Sequence, residues 1–222
     1  ESLVEIAGQR REPLAGPLRL GVIPTIAPFM LPPLLPRLRK AYPDLKLYLT
    51  EDQTQRLHDR LLDGEIDLIL LALPYDLRSV ETCELFDDSF CLEARPGTAL
   101  VDPDNYRFNR LQADSILLLE DGHCLREHAI DACRIRNTEK VSRFAASSLL
   151  TLVEMVDADM GITFLPEMAR GSTILRNTRV RLHPMSDRNY RTIGLAWRRG
   201  SGRADEFRML GDFIARNRKP AR

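Results

Sequence analysis

No run of eighteen consecutive apolar residues occurs in the 222-residue chain, so the sequence offers no helix able to cross a membrane. Net charge is also missing, since 32 Lys and Arg balance 32 Asp and Glu. A surface that grips nucleic acid is normally clearly basic, which makes this chain a poor candidate for touching DNA or RNA directly. Cysteine is scarce: Cys83, Cys91, Cys124 and Cys133 are too few for a disulfide scaffold in a chain this long. The opening ESLVEIAGQRRE has neither a basic-then-apolar export segment nor an initiating Met. The expectation is therefore a piece of a longer polypeptide in the cytoplasm, where thiols start out reduced. What is present, 44% hydrophobic and 29% charged residues, suits one large globular domain or two small ones.

Apolar periodicity supplies the elements. LRLGVI (Leu18 to Ile23) reads as a strand, followed by a proline-bounded loop from Pro24 to Pro28 and a helix from Leu34 to Tyr42. LKLYL (Leu45 to Leu49) is a second strand, and Leu57, Leu61 and Leu62 mark a helix that Gly64 ends. The apolar run Ile66 to Leu73 suits a buried parallel strand. The pattern then restarts with strands at Ser115 to Glu120, Val141 to Ala146 and Gly161 to Pro166. A helical pattern spans Leu125 to Arg136, and a second helix is capped by Ser147 or Ser148. A late strand (Arg191 to Arg198) and a terminal helix (Ala204 to Asn217) complete the chain. The expected fold is α/β, with two βα-rich halves and a cleft between them.

Ligands of open parallel sheets sit beyond the carboxyl ends of the strands. Thr25, Thr54 and the pair His123–Cys124 follow three such strands and are expected to converge there. A cysteine opening a helix faces unpaired N–H groups and the positive dipole end, which favour thiolate. His123 and Arg126 stand close enough in sequence to add charge or hydrogen bonds. Reaction with a peroxide needs such a thiolate, accessible and of low pKa; an inert buried cysteine is the plainer reading. Cys133 follows nine residues later, roughly 13 Å along an intact helix, whereas bridged cysteines need Cα atoms within about 7 Å. Either the two never pair or pairing unwinds the segment, and the residues leave both open. The pattern formed by His123, Cys124, His128 and Cys133 fits no usual zinc spacing, so no metal or other cofactor is expected. Cys83 and Cys91 read as structural or incidental, and His58 and His183 receive no role.

Four segments, GPLRLGVIPT, LLPRLRKAYP, LHDRLLDGEIDLIL and GITFLPEMA, together resemble the regulatory half of LysR-type transcriptional regulators. EDGHCLREHAIDAC, with RTIGLAWRRGS, is similar to the peroxide-sensing members of that family, and the likeness runs from about Gly16 to Arg216. The resemblance implies two Rossmann-like lobes, as in periplasmic binding proteins. Residues 1–16 would be a linker remnant, 17–86 the first lobe, completed by 192–222, and 87–191 the second lobe with the redox cysteines. It implies Cys124 as the peroxidatic and Cys133 as the resolving cysteine, with Thr25, Thr54, His123 and Arg191 lining a hydrogen peroxide pocket. It further implies promoter DNA bound through an N-terminal winged helix-turn-helix domain, contact with RNA polymerase, paired regulatory domains in a tetramer, and reduction by a cellular dithiol system. Two rivals remain. One is a LysR-type domain that binds a small organic effector in the cleft. The other is a thiol peroxidase, against which stands the lack of any thioredoxin-like pattern; a regulator rather than an enzyme is expected.

Overall fold

The computed structural model describes residues 13–185 and 189–218; positions 1–12 of the expected linker segment lie outside them. The first lobe starts as alternating strands and helices: β1 (Gly16–Val22), α1 (Ala27–Ala41), β2 (Leu45–Glu51), α2 (Thr54–Leu62) and β3 (Leu68–Leu73). β1 lies parallel to both β2 and β3. All six residues of β3 are buried, as its continuous apolar run requires.

α1 corrects the sequence reading, for it begins at Ala27 rather than Leu34 and carries Pro32, Pro33 and Pro36 in its body. An interior proline costs about 3 kcal/mol of helix stability, which is why the pattern suggested a loop. Phe29, Met30, Leu34 and Leu38 are buried, and each such side chain returns about 1.5–3 kcal/mol. Packing decides the matter.

β9 (Tyr190–Arg198) pairs antiparallel with β3, from Leu68 opposite Trp197 to Leu73 opposite Thr192. On its far side β9 pairs with β4 (Val80–Ala94), from Val80 opposite Arg198 to Ser89 opposite Tyr190. α5 (Ala204–Asn217) returns to this lobe and buries Phe207, Leu210 and Ile214. The long strand β4 is absent from the sequence reading. Its first half alternates buried or half-buried residues with the exposed Thr82, Glu84 and Asp87, and that polarity masks it.

Beyond Ser89 the same strand enters the second lobe. Phe90 to Glu93 pair with β7 (Thr163–Pro166), and Cys91 to Ala94 pair with β8 (Arg181–Pro184). β5 (Ile116–Leu119) runs parallel to β6 (Val141–Ala146) and reaches β7 through an Ile116–Ile162 bridge. α3 (Cys124–Ala132) and α4 (Leu149–Asp157) complete the lobe. Ser148 caps α4 by accepting from the Thr151 N–H at 3.2 Å.

α3 stops four residues short of the predicted Arg136, and Cys133 is its C-cap rather than a helical residue. The Ile135 N–H donates to the Ile130 carbonyl at 2.9 Å and the Arg134 N–H to Asp131 at 3.2 Å. With Arg134 at φ +53°, this is a Schellman ending. Glycine usually occupies that left-handed position; an arginine there hides the stop from a reader of the sequence.

The fold is α/β, built as two Rossmann-like lobes of the periplasmic-binding-protein kind with a cleft between them. Each lobe has its own apolar core. Cys124 belongs to the first core and Cys133 to the second, although nine residues separate them.

Candidate functional site

Arg191, near the start of β9, is buried at 1% exposure and ties four segments together. Its Nε donates to Asp88 Oδ2 at 3.1 Å, Nη1 to Thr25 Oγ1 at 2.9 Å and Nη2 to the Thr25 carbonyl at 2.9 Å. Met168, just after β7, places its sulfur 3.6 Å from Nη2 and donates its N–H to Asp88 Oδ1 at 3.1 Å. Both lobes are thereby held on one guanidinium. Burial pushes the Asp88 carboxyl up, against the pull of Arg191 and of the Met168 N–H. The sequence reading missed Asp88 and Met168; a lone acid inside an unrecognised strand gave no signal.

Cys124 opens α3, and its sulfur lies beside Thr54, the first residue of α2, and the main chain of Ala72 in β3. In this structure the thiol is covered, where the sequence reading expected it to be accessible. The residue is 5% exposed, and burial pushes the thiol above its ordinary value. The Arg191 charge, the Thr54 hydroxyl and main-chain groups of Ala72 and Cys124 pull the other way without overcoming it. The first-lobe core closes over the helix start, and desolvation outweighs the dipole end that the sequence suggested.

Thr54 Oγ1 is buried with no well-formed hydrogen bond, which leaves it free to serve the sulfur or a bound molecule. His123 is the buried N-cap residue; its side chain makes no capping bond and its Nδ1 has no partner. Arg126 is turned away, its Nη1 on the Leu119 carbonyl at 3.2 Å and its Nε 3.0 Å from Asp121. Two contacts unseen in the sequence seat this end of α3 on the first lobe. His128 Nε2 meets the Pro74 carbonyl at 2.9 Å, and burial holds that imidazole below its usual range. Gly122 lies against the Gln53 side-chain amide, and its φ of +95° is a backbone conformation that favours glycine.

Thr54, Cys124 and Arg191 thus share one neighbourhood, and Thr25 joins it through Arg191. Cys133 lies at the other end of α3. Burial pushes its thiol up to about 12, and its sulfur is 3.9 Å from that of Met185. Cys91 is packed between β7 and β8, donating to Glu167 Oε2 at 2.5 Å with its thiol pushed up to about 12. Burial likewise raises the half-buried Cys83. Among the described residues no three His, Cys, Asp or Glu side chains gather as a metal-binding group.

The profile of the LysR substrate binding domain matches residues 11–219. The chain belongs to the LysR substrate-binding domain family. As such it is a regulatory domain of LysR-type transcriptional regulators, a family of regulators rather than of enzymes. This LysR domain is 35% identical over 217 residues to the HTH-type transcriptional regulator EstR of Acinetobacter baylyi, covering 97% of this chain and 72% of EstR. It is also 35% identical over 212 residues to the DNA-binding transcriptional dual regulator OxyR of Escherichia coli, covering 96% of this chain and 70% of that protein. The reduced form of the regulatory domain of OxyR2 from Vibrio vulnificus superposes on the LysR domain with a TM-score of 0.88. It is 36% identical and covers 95% of this chain and 99% of that one.

Proposed function

We propose that this domain senses hydrogen peroxide: Cys124 is oxidised to a sulfenic acid, and Cys133 resolves it to an intramolecular disulfide. The observation that carries the reading is the placement of the two thiols. One opens α3 in the first core beside Thr54 and the Arg191 charge, and the other caps the same helix in the second core. The likeness to OxyR and OxyR2 supports it.

The Cys124 thiolate attacks one peroxide oxygen, the O–O bond breaks, and the departing hydroxide takes up the thiol proton as water. Cys133 then attacks the sulfenic sulfur. An S–S bond forms, and a second hydroxide leaves as water with the Cys133 proton. Thr25, Thr54 and main-chain N–H groups hold the peroxide, while Arg191 and His123 stabilise the departing hydroxide. Nine residues of helix keep the sulfurs roughly 13 Å apart along its axis, so closure unwinds α3. The remodelled segment moves the pairing surface of the domain and with it an N-terminal winged helix-turn-helix on promoter DNA. The same reading includes cytoplasmic tetramers, contact with RNA polymerase and resetting by a dithiol system. Its domain division is 17–86 with 192–222, and 87–191.

The reduced chain, given a small excess of peroxide, is expected to lose the mass of two hydrogens and to yield a Cys124–Cys133 peptide pair on mapping. Amide exchange should rise from Cys124 to Arg136 while β1 and β3 stay protected. A product dominated by Cys83–Cys91 or by intermolecular bridges would sink the assignment. Unchanged protection in the oxidised chain would leave the redox chemistry without its signal.

Thr25→Val keeps the shape but removes the hydroxyl that accepts from Arg191 Nη1; the Thr25 carbonyl still holds Nη2. A hydrogen bond to a charged group contributes about 1.5 kcal/mol or more, so Cys124 oxidation should slow by about tenfold. Stopped-flow rates that match the parent would remove Thr25 from the site.

The likeness to EstR favours a second reading, a LysR-type domain that binds a small organic effector in the cleft with Cys124 a bystander. Such a domain would be indifferent to both peroxide and iodoacetamide.

A further inference from the structure

The chain leaves the carboxyl end of β3 at Leu73 and passes through Pro74 and Tyr75. Three features bring this turn against Cys124. The main chain of Ala72 lies beside the sulfur. The Pro74 carbonyl is held by His128 Nε2 at 2.9 Å, and His128 follows Cys124 by four residues, so the two side chains share one face of α3. The Tyr75 ring packs against the first core, to which Cys124 belongs. Burial, and next the charge of Cys124, push the Tyr75 hydroxyl above its ordinary value, ahead of Asp59 and Asp76. The phenol is therefore within electrostatic reach of the sulfur.

The other groups around the thiol are closed in. Thr54, Ala72 and Arg191 are each at most 1% exposed, and His123 and His128 are buried. Tyr75 is only half-buried, and its hydroxyl makes no hydrogen bond among the described residues. A ring held by packing alone turns about its side-chain bonds much faster than strand ends and helix starts move. Among the described side chains that act on the thiol, Tyr75 is thus the one placed to open a path to it.

We propose that Tyr75 is a gate that sorts the reagents of Cys124 by size, admitting hydrogen peroxide and rejecting alkyl hydroperoxides. The inference rests on the peroxide reading for its substrate, though not for the gate itself. For attack, one peroxide oxygen must come within about 3–3.5 Å of the sulfur. In hydrogen peroxide the other oxygen carries only a hydrogen, which fits beside the ring. In an alkyl hydroperoxide it carries the alkyl group, which would have to lie where the phenol stands. The bond changes are otherwise the same: the sulfur takes up one oxygen, the O–O bond breaks, and an alcohol leaves in place of water. The discrimination therefore lies in the approach, as a clash against the wrong substrate.

The test compares Tyr75→Ala and Tyr75→Phe with the parent and follows Cys124 alone by peptide mapping. With tert-butyl hydroperoxide, oxidation in Tyr75→Ala should speed up by about tenfold or more, the effect that a few carbon atoms have in a closed pocket. With hydrogen peroxide the change should stay below about threefold, since that reagent already passes the ring. Tyr75→Phe keeps the ring and should match the parent with both. Alkylation supplies a readout free of peroxide chemistry: in Tyr75→Ala, labelling of Cys124 by N-phenylmaleimide should gain about tenfold over labelling by the smaller iodoacetamide. Equal gains for the large and the small reagent would show that the ring merely packs the core, and would overturn the proposal. Unchanged rates in Tyr75→Ala would do the same. Alkylation sorted by size, with no oxidation of Cys124 by either peroxide, would end the peroxide reading and leave the gate standing. Should Tyr75→Ala lose the far-ultraviolet dichroism of the parent, Tyr75→Leu, which keeps an apolar contact but lacks the outer half of the ring, carries the same expectations and the same overturning results.

Discussion

Arg191→Met is expected to destabilise the domain by about 3–5 kcal/mol at pH 7, because it leaves a buried carboxylate without its partner. Asp88 and Arg191 have side chains only 4% and 0% exposed, so water cannot replace the lost contact. Thr25 Oγ1 and its carbonyl would also lose their donor. Burial already pushes Asp88 up, and without Arg191 that push has only the Met168 N–H against it. A carboxyl whose folded pKa exceeds its unfolded one contributes stability that is complete at low pH and lost as pH rises. The variant should therefore lie nearer the parent at pH 5 than at pH 8. Urea unfolding at both pH values checks the size and the slope, and Asp88→Leu/Arg191→Met should recover much of the loss, since an apolar pair leaves no charge unpaired. A loss below about 1 kcal/mol would mean that the guanidinium does not hold the lobes together.

Glu93→Met should act in the opposite direction. Glu93 lies in β4 between Thr163 of β7 and Leu182 of β8, is fully buried, and has no hydrogen bond to either carboxyl oxygen. Burial, and secondarily the nearby Asp157, pushes its pKa up to about 8. The folded chain thus binds this proton more tightly than the unfolded one. The associated stability is full below the ordinary glutamate range and declines as pH rises through about 8. At pH 7 about 2.5 pH units of that decline have accumulated, or about 3 kcal/mol. Methionine has nearly the same shape, breaks no hydrogen bond and removes the titration. A gain of about 3 kcal/mol at pH 7 follows, near 6–12 °C in Tm for a domain of this size. Calorimetry from pH 5 to 8 should show a falling parent curve and a flatter variant. A parent curve as flat as the variant's would show that Glu93 is compensated in the fold.

The parts of this fold that announce themselves in sequence are those with one dominant signal. β3 is apolar without interruption, α4 has a serine cap, and α5 has a clean amphipathic period that places it at Ala204 to Asn217. Elements where signals conflict are misread. Prolines argue for a loop where α1 is helical, acids conceal β4, and Arg134 stands where a terminating glycine would be obvious. Thr25, Thr54 and Cys124 could be found because topology places strand ends together. The contacts of Asp88, Met168, Gln53 and His128 are long-range, and nothing in their local sequence fixes them. The buried state of Cys124 is of the same kind: a dipole end is local, but the core that covers it comes from another lobe.

The order of strands β2-β1-β3-β9-β4 has a consequence during synthesis. The ribosome makes every strand of the second lobe, through β8 at Pro184, before it makes β9. Until Tyr190 to Arg198 emerge, β3 has β1 on one side and nothing on the other, with six apolar residues in a row. Such an edge invites pairing with other chains. Its natural partner arrives only with β9, the last strand among the described residues.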